Sequence, residues 1–135
     1  MKQVVIFHGT DCKPSDFWYE WLKIKLENRG YQVELPSYPK INHDDLAEFL
    51  PMVMRNHKLN DDTILIGHSA GSPLILSILE NSNVKIRQAI LVAGFSSPLG
   101  GVSVPILQDK YNWENIRKNC ESFVMFNSPN DPYGS

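Results

Sequence analysis

The chain has 135 residues, 42% hydrophobic and 21% charged, the balance of one soluble globular domain rather than a disordered segment. A net charge of −2, a pI near 6.0 and scattered Lys and Arg exclude the basic footprint that nucleic acid or an anionic membrane surface would require. No stretch approaches the ~18 apolar residues of a membrane span, and the apolar start through Phe7 is too short for a secretory leader, so a cytoplasmic location is expected.

In chain order, Gln3 to Phe7 reads as a strand, Asp16 to Asn28 as a helix, Tyr31 to Leu35 as a strand and Asp44 to His57 as a helix. Thr63 to Ile66 is the next strand, then a helix over Ser72 to Glu80 and a strand over Ile86 to Ala93. A short helix over Asn112 to Arg117 and a strand over Ser122 to Phe126 complete the alternation. Val4-Val5-Ile6-Phe7 and Ala89-Ile90-Leu91-Val92 are apolar on both faces, as strands covered by helices on both sides must be. The predicted fold is a single α/β domain, a mostly parallel sheet between helical layers. Asn28-Arg29-Gly30 reads as a helix stop and Asn60-Asp61-Asp62 as a turn. Gly94 to Pro105 is the one long irregular stretch, expected to form a cap beside the site.

Gly67-His68-Ser69-Ala70-Gly71 carries the chemistry. Set between a strand and a helix, G-x-S-x-G is a nucleophile elbow: the strained turn holds the Ser69 hydroxyl above the sheet, and the Ala70 amide and helix N-terminus face a developing oxyanion. The loop after the first strand, His8-Gly9-Thr10-Asp11, is the source of a second oxyanion donor, assigned to the Thr10 amide. His8 is read as a buttress of that loop and His68 as a packed or hydrogen-bonded neighbour, neither as the general base. For the acid that orients a base, Asp131 lies in the turn after the last strand, with Asp109 a weaker rival; an Asp before Pro also marks an ordinary turn, so spacing alone leaves the choice open. Asp11, Asp61 and Asp62 are read as turn or helix-start residues. Phe17, Trp18, Tyr19 and Trp21 are read as helix packing in preference to an acyl pocket, and Tyr111 and Trp113 stay open between the two. No dinucleotide fingerprint, phosphate loop or metal-ligand spacing is present, Cys12 and Cys120 being far apart, so no cofactor or metal is implied.

His8-Gly9-Thr10, Phe17 to Leu22, Gly67 to Ser72, Ala89 to Phe95 and Asn130-Asp131-Pro132-Tyr133, in that order, resemble the small serine hydrolases related to retinoblastoma-binding protein nine. The resemblance runs from the first residue to the last. It implies an α/β-hydrolase fold, a three-layer sandwich, with a Ser-Asp-His triad whose nucleophile falls on Ser69 and whose acid falls on Asp131. It implies a small ester, amide or thioester substrate. The L-x-C-x-E peptide linked to that family's retinoblastoma partner has no counterpart, Asn119-Cys120-Glu121 differing in spacing and flanks, so no protein partner is carried over.

In the family a further helix and strand follow the Asp-Pro turn, and the triad histidine follows that strand. Here no histidine comes after His68, and the sequence is expected to be a C-terminally shortened form. Such a chain would lose several powers of ten in rate against an intact triad, leaving an impaired hydrolase or a non-catalytic interaction protein as the alternative. His43, before a helix, and His57, near a helix end, are the poor substitutes for the base.

Overall fold

Strands β1 (Gln3–Phe7), β2 (Gln32–Glu34), β3 (Ile64–His68), β4 (Ile86–Val92) and β5 (Cys120–Phe126) form one sheet in a computed structural model that describes residues 2–98 and 100–127. Their order is β2-β1-β3-β4-β5, and every neighbouring pair is parallel. The chain runs from β1 outward to β2 and then crosses back to β3. The switch point of the sheet therefore lies between β1 and β3, where open α/β sheets bind ligands beyond the strands' carboxyl ends. Phe7 stands opposite Gly67, and His68 opposite Val92. That register sets the residues following β1, β3 and β4 side by side.

Helices α1 (Tyr19–Glu27), α2 (Leu46–Asn56), α3 (Gly71–Asn81) and α4 (Trp113–Lys118) make the outer layers. Val5, Phe7, Leu65, Ala89 and Leu91 pack with Phe49 and Val53 of α2, Leu74, Ile75 and Ile78 of α3, and Ile116 of α4. Val4, Ile6, Ile64 and Ile66 point the other way, against Tyr19, Leu22 and Leu26 of α1. Helix α3 is buried from Gly71 to Leu79, as expected of a central helix lying on the sheet. Asn119 closes its far end: the buried amide Nδ2 donates to the carbonyls of Leu79 (2.8 Å) and Ser82 (2.9 Å).

Each expected element is present, with shifted ends. Helix α1 begins at Tyr19, not Asp16, because the Asp16 carboxylate accepts from the Lys13 amide at 2.8 Å in a turn and Phe17 sits at φ 51°. Helix α2 begins at Leu46, since the amides of His43 and Asp44 both bond back to the Lys40 carbonyl. Strand β3 runs on through Gly67 and His68, held by pairing to Leu91 and Val92. The stop after α1 is as read: Gly30, at φ 92°, follows the last turn, and the Tyr31 amide bonds back to Leu26. The expected cover on both faces holds only in part. On the α1 side Ile90 and Val92 are half-buried and Phe126 is exposed, because α4 lies beside α3 and α1 alone packs on the opposite face among the described residues.

Candidate active site

Ser69 leaves the carboxyl end of β3 at φ 53°, the left-handed conformation that a non-glycine residue avoids. Its amide donates to the Val92 carbonyl at 2.9 Å, and its own carbonyl accepts from the Ser72 amide at 2.9 Å, so the turn is pinned on both sides. The two flanking glycines are there for space. A Cβ on Gly67 would come within 2.6 Å of the Gly71 backbone, and one on Gly71 would run into the Phe7 carbonyl and lie 3.0 Å from the Phe7 Cβ. Helix α3 thereby starts directly against β1. Ser72 Oγ donates to the Gly67 carbonyl at 3.1 Å, and Gly94 passes so close that a Cβ there would sit 2.9 Å from that hydroxyl.

The loop after β1 is braced from several sides. His8 is buried; its Nε2 accepts from the Tyr38 amide at 2.8 Å, which leaves the proton on Nδ1, donated to the Gly9 carbonyl at 2.8 Å. His8 is thus a buttress and not a base, as the sequence led us to expect. The Gly9 amide donates to the Tyr19 hydroxyl at 3.2 Å, and that hydroxyl in turn meets His68 Nδ1 at 2.6 Å. Asn42, at φ 64°, donates from Nδ2 to Thr10 Oγ1 at 3.1 Å and accepts the Ile106 amide on Oδ1 at 3.0 Å. It ties the loop after β1 to the irregular stretch before α4. Among the described residues, the positive-φ non-glycine positions are Asp11, Phe17, Asn42, Ser69 and Ala93. All five lie in the segments that surround Ser69, and strain of about 1–3 kcal/mol per residue is kept where surrounding structure overrides it, as at functional sites.

A cavity of about 440 Å³ opens over Ser69. Ser69, Thr10 and Asn42 form its polar end, while Phe17, Phe95, Val102 and Val104 supply apolar walls. No charged residue lines it among the described residues. The aromatic cluster divides: Tyr19 is buried and Trp18 packs beside it, as read, whereas Phe17 is 71% exposed at the mouth of the cavity. Trp21 does neither, lying exposed with Lys25 Nζ 5.7 Å over its ring. Trp113 lines a second cavity, and Tyr111 packs on the core with its hydroxyl accepting from the Gln108 amide.

The four histidines of the chain are accounted for as follows. His68 lies within 5.4–5.6 Å of the rings of Phe17, Trp18 and Tyr19, and this burial holds its pKa below the ordinary value. His57 is buried, donating to Glu34 Oε2 and meeting the Tyr38 hydroxyl, each at 2.6 Å; the cavity it lines does not include Ser69. His43 does not open helix α2. It bonds through Nε2 to the Asp11 carboxylate at 2.7 Å, an exposed pair one residue from both Thr10 and Asn42 that sequence spacing did not reveal. Asp62 pairs with Arg87 at 2.7 Å, in keeping with a turn residue. Asp131 lies outside the described residues.

The depressed pKa of His68 has a consequence for stability. An unfolded chain protonates this histidine near the ordinary value of about 6.5, whereas the folded chain resists until lower pH. The stabilisation is complete above pH 6.5 and is lost as pH falls towards the folded pKa. The midpoint of thermal unfolding is therefore expected to fall between pH 7 and 5 more steeply in the native chain than in His68→Asn. Parallel curves for the two would contradict it.

Comparison with known proteins agrees with this geometry. The serine hydrolase family model matches residues 4–135. The chain is 34% identical to YdeN of Bacillus subtilis (strain 168) over 135 residues, covering 96% of this chain and 71% of that protein. It is 28% identical to serine hydrolase RBBP9 of Rattus norvegicus over 120 residues, covering 86% of this chain and 63% of that protein. The crystal structure of the B. subtilis ydeN gene product superposes with a TM-score of 0.87 at 27% identity, over 99% of this chain and 75% of the other.

Proposed function

Because the chain belongs to the serine hydrolase family, we propose that it cleaves a small carboxylic ester, amide or thioester through an acyl-enzyme on Ser69. The observation that carries this reading is Ser69 itself, held at φ 53° between two sterically required glycines and opening into a cavity with apolar walls. In the acylation step Ser69 Oγ bonds to the acyl carbon while its proton passes to a base. The oxyanion turns towards the amides of Thr10 and Ala70, neither of which donates a hydrogen bond elsewhere among the described residues. The bond to the leaving group then breaks, the leaving group takes the proton, and water releases the acid by the reverse sequence. Asp131 is the proposed acid, on the strength of the family pattern. The free thiols Cys12 and Cys120 accord with a reducing cytoplasm.

The engagement of His8, His57 and His68 with other partners favours a second reading, in which the elbow and pocket persist without an efficient base. Fluorophosphonate labelling separates the two. The first reading expects stoichiometric phosphonylation, located by mass on the peptide carrying Ser69 and absent from Ser69→Ala. A folded chain that takes no label belongs to the second.

A further inference from the structure

The cavity over Ser69 has a neighbour. A smaller space of about 200 Å³ lies towards β5, lined chiefly by Leu76, Leu91, Trp113 and Met125, and Phe95 lines both. Phe95 follows Gly94, whose lack of a side chain lets this segment press against Ser72 of the elbow helix. The ring also packs against the main core and is half-buried. It is thus anchored on the core while bordering both spaces, the second of which also has Ser96 and Asn127 in its lining. We propose that Phe95 is the specificity-determining wall between these compartments: it confines an uncharged, apolar acyl group to the space bounded by Phe17, Val102 and Val104, and so sets the longest chain that Ser69 accepts.

This rests on the acyl-enzyme reading above, and two features of the site extend it. Among the described residues the first cavity has no charged lining, so a charged acyl group would find no partner among them when desolvated there. An apolar group gains about fourfold in binding for each methylene taken from water, until the wall is met. Removing the wall joins the spaces and lengthens the acceptable chain.

The test uses p-nitrophenyl esters from acetate to dodecanoate, with the hemisuccinate as the charged member. Alongside them, binding of unreactive n-alkyl methyl ketones is read by Trp113 fluorescence, with Trp113→Phe subtracting Trp18 and Trp21. For the native chain, kcat/KM should climb with chain length to a maximum and then fall, the hemisuccinate being the poorest. In Phe95→Ala, with folding checked by circular dichroism, the maximum should move to longer chains. The preference for a chain two methylenes beyond the native maximum should rise about fifteenfold, and long ketones should newly perturb Trp113. An unchanged ketone profile in folded Phe95→Ala overturns the wall, whatever the hydrolysis data show. Ketones that bind as expected, with no ester turned over, count against the hydrolase reading and leave the wall standing.

Discussion

Gly71→Ala is expected to cost about 3 kcal/mol or more, a large share of a domain's whole stability of about 5–15 kcal/mol. The added methyl has nowhere to go. It would meet the Phe7 carbonyl oxygen and lie 3.0 Å from both the carbonyl carbon and the Cβ of Phe7, all on a central strand that cannot shift without disturbing its pairing to β2 and β3. Gly30→Ala is the control that separates space from conformation. Gly30 is at φ 92° with nothing among the described residues within 4 Å of where a methyl group would sit, so alanine there brings only backbone strain, about 1–2 kcal/mol. Urea unfolding of the two variants should rank them in that order. A Gly71→Ala chain with a native-like midpoint would mean that the elbow is not packed against β1 as described.

The difference between these glycines also shows what the sequence conveys. Gly67 and Gly71 were legible because the elbow pattern states their spacing, and the strands because Val4 to Phe7 and Ala89 to Val92 are apolar on both faces. The architecture and the nucleophile followed from those local signals. What surrounds Ser69 did not, because it is wired over long stretches of chain. Tyr38 reaches back 30 residues to His8, Asn42 spans 32 residues to Thr10 and 64 to Ile106, and Tyr19 meets His68 across 49. Such contacts leave no periodicity. Asn42 carried one weak signal, as an asparagine in a loop, a residue that tolerates a left-handed backbone; nothing local showed that its side chain would join two walls of the pocket. Phe17 was misplaced for a related reason: it adjoins a helix in sequence, but its positive φ turns it out of the helix and into the mouth of the cavity.

Tyr19→Phe should slow the reaction of Ser69 with a fluorophosphonate about tenfold, a fraction of the hundredfold or more that loss of an oxyanion donor costs outright. The ring would still fill its buried place between β1 and the elbow, so packing is kept. Only the hydroxyl goes, and with it the acceptor of the Gly9 amide and the partner of His68 Nδ1. Two polar groups are then left unmatched near the core, a loss of about 2 kcal/mol in stability. The chemical effect is transmitted through the backbone. Gly9 precedes Thr10, and its Cα lies so near the elbow that a Cβ would come 3.2 Å from the Ser69 Cβ, so a loosened Gly9 amide moves the Thr10 amide relative to the nucleophile. Asn42 still holds Thr10 Oγ1 from the other side, which is why the expected effect is partial. The labelling rate must be measured well below the unfolding midpoint of the variant. If stability falls there while the rate of labelling is unchanged, Tyr19 supports the fold alone; a slower rate in a fully folded variant makes it a positioning residue for the oxyanion loop.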